Sequence, residues 1–280
     1  MDNINNDIQS NNIQDSEKIK NTFKNSFFVE SEDIKEHIFY LKDFLPIPED
    51  YVTLLYGAGG VGKSLLALQL CVRYILETQN YAFYWNTELT RKTIFYRFNK
   101  IVELLELKEE DKKLILNKLI IYTKSAYNEA QSILKSLYQL KIKFIIFDPF
   151  ISFLVFSKGS KKKVSTNITV RRYLDAFSNY AKQSHSSIIF THNKDNNIVG
   201  GSYIILNSVN VCYLLEPISN KQNSPYRKIK LIRDNIGIAD LYKNRDLNNI
   251  AILPLSAKDK KYKCDINNLN NRDSYEVFEL

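Results

Sequence analysis

Four of the chain's eight glycines fall within the eight residues Gly57-Ala58-Gly59-Gly60-Val61-Gly62-Lys63-Ser64. An apolar run from Tyr51 to Tyr56 precedes them, and a stretch with apolar residues at helical spacing, Lys63 to Glu77, follows. A strand, a glycine-rich turn and a helix in immediate succession leave few folds open, because the backbone must double back and bring its amides close to whatever the turn encloses. The segment satisfies G-x-x-x-x-G-K-[ST], in which main-chain amides and a helix N-terminus cradle phosphate oxygens. Gly57, Ala58, Gly59, Gly60, Val61, Gly62, Lys63, Ser64 and Leu65 are therefore the candidate nucleotide-binding residues. Lys63 is expected to neutralise the β- and γ-phosphates and the Ser64 hydroxyl to ligate magnesium, which makes ATP and Mg2+ the expected cofactors.

Along the rest of the chain, short apolar runs alternate with longer amphipathic stretches, the rhythm of βαβ units and a mainly parallel sheet. Strands are expected at Tyr51 to Tyr56, Tyr81 to Trp85, Leu119 to Tyr122, Phe144 to Phe147 and Ser187 to Thr191, each short and rich in β-branched or aromatic residues. Helices are expected at Lys63 to Glu77, Thr90 to Leu107, Glu129 to Leu140 and Val170 to Gln183, each with an apolar stripe. After Thr191 the rhythm changes: Tyr203 to Glu216 and Arg227 to Ile232 read as strands without an intervening helix, a β-rich extension of the sheet. The fold class is thus α/β, a P-loop core with a parallel central sheet flanked by helices. Residues 1–30 are polar and lack a sustained apolar period, so a disordered tail is expected there, followed by an ATPase domain over 31–256 and a polar tail over 257–280.

Two acids and a histidine fall at the ends of expected strands. Phe144-Ile145-Ile146-Phe147 leads into Asp148, placing a carboxylate at the carboxyl edge of the sheet, where it would hold a magnesium-bound water. A strand-terminal Asp can also cap the turn that follows. Pro149 and Phe150 come next, so a water-activating base must come from elsewhere, and Glu88, just beyond Tyr81 to Trp85, is the candidate. Glu88 could instead belong to the first turn of the next helix, with Thr87 or Thr90 as its cap. His192 follows Ser187 to Thr191 and is the candidate sensor of the nucleotide state, whereas His37 and His185 read as bystanders.

Lysine and arginine outnumber aspartate and glutamate by 39 to 31, a net charge of +8 that favours polyanionic partners, although composition drift produces the same bias. Cys71, Cys212 and Cys264 form no C-x-x-C pair, which argues against a zinc site or a disulfide framework and for a reducing cytoplasm. No run approaches the roughly 18 apolar residues of a membrane span, and no membrane partner is expected.

With these motifs in order, the sequence resembles the RecA-like hexameric ATPases, and most closely the RepA-type plasmid replicative helicases, over about residues 35–240. The resemblance lies in GAGGVGKS, the YWNTE strand ending in Glu88, KFIIFDP with Asp148, IIFTHNK with His192, a GGS at Gly200 to Ser202, and LIRDN ending in Asn235. A glutamate on the second strand with no acid after Asp148 is the feature that points to this subgroup. The resemblance implies a homo-oligomeric ring, possibly a hexamer, with nucleotide between subunits and hydrolysis coupled to movement along single-stranded DNA. It also implies a basic finger from the neighbouring subunit, for which Arg233 occupies one family position; the other holds Asn210, a departure from the pattern. Contact with DNA would come from loops at Ser157 to Val164 and Asn193 to Val199, through Lys158, Lys161, Lys162, Lys163 and Lys194, although a charge run is also what any solvated surface carries. Two alternatives stay open: a RecA-like regulatory or recombination ATPase that unwinds nothing, and a small-molecule phosphotransferase with an acceptor pocket and a lid.

Overall fold

The computed structural model describes residues 36–124, 130–154, 167–194, 201–217, 227–239 and 251–252. An antiparallel pair, β1 (Phe39–Tyr40) and β2 (Ile47–Pro48), leads into β3 (Val52–Gly57) and α1 (Lys63–Thr78). Then follow β4 (Ala82–Asn86), α2 (Arg91–Leu104), α3 (Glu109–Lys118), β5 (Leu119–Tyr122), α4 (Ala130–Gln139), β6 (Phe144–Asp148), α5 (Ile151–Leu154), α6 (Asn167–Ser184) and β7 (Ser187–Asn193). The last elements are α7 (Gly201–Ser208), β8 (Val211–Pro217), β9 (Arg227–Asp234) and β10 (Ala251–Ile252).

The central sheet has eight strands in the order β10-β9-β8-β3-β7-β6-β4-β5. Every neighbouring pair from β8 to β5 is parallel, whereas β9 and β10 are added antiparallel. The five strands expected before residue 191 are present, and the antiparallel edge is the β-rich extension. One expected strand is corrected: Tyr203 to Ser208 belongs to α7. Since β7 and β8 run in the same direction, the chain needs a crossover between them, which a continuous strand cannot provide. The apolar run Tyr203-Ile204-Ile205-Leu206 resembles a strand locally, but Ile205 is buried on one face of the sheet as a helical residue. A helix not expected from the sequence is α3, whose first turn holds Glu109, Glu110 and Asp111 and whose last holds Lys118, charges matched to the helix dipole.

Side chains alternate across the sheet and make two cores. On one face Leu55, Tyr84, Ile146, Ile189 and Tyr213 pack against Leu66, Leu70 and Ile75 of α1, with Ile94 and Phe98 of α2 and Ile115 of α3 in the same core. On the other, Leu54, Phe83, Trp85, Ile145, Phe147 and Phe190 pack against Leu137 of α4, Leu174 and Phe177 of α6, and Ile205 of α7. Phe190 meets Phe147, Phe150 and Phe177 with ring centroids 5.2, 4.5 and 4.9 Å apart. Offset and edge-on aromatic pairs of this kind contribute about 0.5–1.5 kcal/mol each beyond their buried area. They fasten the carboxyl ends of β6 and β7 side by side, where Asp148 and Thr191 emerge.

Candidate nucleotide-binding site

The glycines of the loop answer to two physical demands. Gly57 ends β3 so close to β8 that a Cβ there would lie 2.5 Å from the Leu215 carbonyl oxygen and 3.1 Å from Cγ1 of Val61. Gly62 caps α1 with φ of 107°, a left-handed conformation that disfavours any side chain. No side chain caps the N-terminus of α1, and no acid occupies its first turn, so the positive end of its dipole is not neutralised from within the helix. Lys63 is buried and donates from Nζ to the carbonyls of Gly57, at 2.9 Å, and Ala58, at 2.8 Å. Two later elements brace the loop: the Lys194 amide donates to the Gly57 carbonyl at 2.8 Å, and Arg227 Nε of β9 donates to the Val61 carbonyl at 2.9 Å.

Asp148 ends β6 two strands away from β3, with β7 between them. Its carboxylate is 2% exposed and is held on both oxygens. Tyr84 donates its hydroxyl to Oδ2 at 2.6 Å, Asn86 donates its amide to the same oxygen at 2.6 Å, and Thr191 of the intervening strand donates its hydroxyl to Oδ1. Burial, and then the adjacent Asp148 charge, push the Tyr84 phenol well above its ordinary range, so it is a permanent donor. The bland reading of Asp148 as a turn cap does not match these bonds, which are made by three side chains from β4 and β7.

Glu88 stands at the same rim. Thr90 is the N-cap of α2, accepting from the Thr93 amide at 3.2 Å, so Glu88 precedes the helix and is not part of its first turn. The side-chain oxygen of Asn86 accepts from the amides of Glu88, at 3.1 Å, and Leu89, at 2.6 Å, fixing the path of the chain as it leaves β4. Partial burial, and then Asp148, raise the Glu88 carboxyl above its usual pKa, while Lys63 opposes the shift.

A cleft of about 870 Å3 brings these groups together: Gly59, Gly60, Gly62, Lys63, Ser64 and Leu65 form its floor, with Glu88, Asp148, Thr191 and Asn193 along the rim. Tyr96, Arg97, Lys100 and Glu103 of α2 form a further wall. Sequence reasoning missed that wall, and also missed Tyr84, Asn86, Thr191 and Arg227. The signal available for α2 was a pair of cations three residues apart on the helix that directly follows Glu88. His192 is on the alternate face of β7: it is 4% exposed, its ring lies 6.1 Å from that of Tyr56, and it does not line the cleft, as Thr191 and Asn193 do. Arg233 is outside the cleft of its own chain, donating to Asn207 Oδ1 at 3.1 Å. Lys194 is exposed at the end of β7, and Lys158, Lys161, Lys162 and Lys163 lie outside the described residues.

Residues 31–194 match the AAA domain family, more than half of the chain. The chain belongs to that family. The AAA domain match spans the phosphate loop, Glu88, Asp148 and β7, and it ends before α7, β8 and β9. Among the curated proteins compared, none matches the chain. An AAA domain carries P-loop ATPase chemistry, and the donor set fits the nucleotide and metal that such chemistry requires. Among the described residues there is no cluster of three or more His, Cys, Asp or Glu side chains. Among the residues lining the cleft, the Ser64 hydroxyl next to the loop and the Asp148 carboxylate on the rim are the oxygens placed to share Mg2+ with phosphates, a sparse set rather than a closed metal cage. No helix among the described residues is long and apolar enough to cross a membrane.

Proposed function

We propose that this AAA domain hydrolyses ATP with water as acceptor, and that hydrolysis is coupled to single-stranded DNA in a RecA-like ring of identical subunits, as in the RepA-type helicases. The observation that supports the chemistry best is the placement of Glu88 and Asp148 on one rim of the sheet, both lining the cleft floored by Lys63 and Ser64. Mg2+, when bound through Ser64 and Asp148, supplies charge neutralisation on the phosphates. The loop amides and the α1 N-terminus bind the phosphate chain, and Lys63 adds the cation that follows charge onto the bridging oxygen. Glu88, with its raised pKa, orients the attacking water and accepts its proton. A sensing role for His192 would act through β7, by way of Thr191, rather than by contact with nucleotide.

The coupling to DNA draws on the ordered motifs, on Lys194 beside the cleft and on the net positive charge. Steady-state ATP hydrolysis measured with and without single-stranded DNA tests it. Turnover should rise with DNA at low salt and the rise should fade as salt increases, because phosphate contacts release counterions. Hydrolysis that is indifferent to DNA at every salt concentration would leave an ATPase of another kind. Phosphate found on an acceptor other than water would show a phosphotransferase instead.

A further inference from the structure

Asn86 is the one described side chain whose two ends reach the two halves of the catalytic rim. It is 1% exposed. Its amide nitrogen donates to Asp148 Oδ2 at 2.6 Å and to the Tyr84 hydroxyl at 3.0 Å. Its carbonyl oxygen accepts from the Glu88 amide at 3.1 Å and from the Leu89 amide at 2.6 Å. The strand register sets this up, since Asn86 of β4 pairs directly with Asp148 of β6. We propose that Asn86 is a positioning residue that locks the carboxylate of Asp148 and the backbone of Glu88 into one rigid unit, so that the metal-binding group and the water-activating group are set by a single side chain. This inference rests on the ATPase reading above.

The chemistry of the amide explains why this residue type stands there. An ionised carboxylate offers about four lone-pair positions, and Tyr84, Asn86 and Thr191 take three of them, which leaves about one to meet a metal or its water. The direction of that last lone pair is therefore fixed by its neighbours. On the other side, the turn after β4 needs an acceptor for two amides. Asparagine supplies a donor and an acceptor at this length in one planar group. Aspartate would keep the acceptor for the turn but would set a second negative charge against Asp148. Serine would be too short to span both, and alanine would remove both contacts. Because the two functions share one amide plane, a displacement of Asp148 is transmitted to the start of the Glu88 segment without an intervening flexible torsion.

The test uses the full chain with Asn86→Ala and Asn86→Asp beside the wild type, and reads three quantities: thermal midpoint, affinity for a fluorescent ATP analogue in EDTA and in Mg2+, and ATP turnover. Loss of a hydrogen-bond partner behind a metal ligand costs about 10–100-fold in metal affinity or activity. Both variants should therefore lose turnover by about that factor, and the gain in analogue affinity conferred by Mg2+ should shrink several-fold. Affinity in EDTA should stay within about twofold of wild type, because the phosphate loop is untouched. Asn86→Asp keeps an acceptor for both turn amides, so it decides the matter if Asn86→Ala does not fold. Wild-type turnover and a wild-type Mg2+ gain in Asn86→Asp would overturn the proposal, as would an equal loss of affinity in EDTA and in Mg2+, which marks a merely structural role. In either case the ATPase reading stands if the wild type binds and hydrolyses ATP. If the wild type does neither, that reading fails and this inference falls with it.

Discussion

At the scale of single residues, the site depends on charges whose neighbours decide their protonation. Glu88 is pushed up by partial burial and by Asp148, against the pull of Lys63. A base works only when deprotonated, so activity is retained above its pKa and lost as the pH falls through it. The acid limb of kcat/KM, which reports the free enzyme, should accordingly fall at a pH above the ordinary glutamate value of about 4.3. Removing the Lys63 cation takes away the opposing influence, but it also removes the phosphate ligand, so Lys63→Ala should abolish measurable binding of a fluorescent ATP analogue. Both Glu88 and Asp148 were legible in the sequence because each follows a short apolar run, and strands of a parallel sheet deliver their ends to one rim. Tyr84, Asn86 and Thr191 were not, since a tyrosine or threonine inside an apolar strand looks like any other β-former until the register sets it opposite a carboxylate.

At the scale of elements, the phosphate loop is stiffened by strands that lie far beyond it in sequence. Gly57 passes so near Leu215 of β8 that a methyl group has no room: the Cβ would be 2.5 Å from a backbone oxygen. Gly57→Ala should destabilise the fold by about 1–3 kcal/mol, as overpacking does, and chemical denaturation measures it directly. Arg227 of β9 holds the Val61 carbonyl from the other side. Arg227→Ala should weaken binding of the ATP analogue while costing about 1 kcal/mol of stability, the typical worth of one hydrogen bond. A change in stability with no change in affinity would make Arg227 a packing residue only. The parallel strands were legible as short apolar runs bounded by turn residues, and α1 as a long apolar stripe at helical spacing. The sequence hid α7, since a short apolar helix holding Ile204 and Ile205 has the local look of a strand and only the direction of β8 distinguishes them.

At the scale of the whole molecule, the sheet gathers the rim of the cleft at the carboxyl ends of β3, β4, β6 and β7, while β9 and β10 extend the far edge in antiparallel pairings. Arg233 on β9 is outside the cleft of its own chain, so a catalytic role for it requires a second subunit. Mixing Arg233→Ala with Lys63→Ala protein should restore part of the activity if sites are shared, because some junctions then combine an intact loop with an intact finger. Recovery that never rises above the sum of the two separate proteins would count against sharing. The most direct measurement of the central claim, that Glu88 and Asp148 act together on a nucleotide held by the loop, is a single-turnover experiment on Glu88→Gln with radiolabelled ATP. Glu88→Gln should retain ATP as the wild type does, with phosphate release slowed by about 100–10,000-fold, the usual contribution of a general base. Phosphate release from Glu88→Gln at the wild-type rate would contradict it.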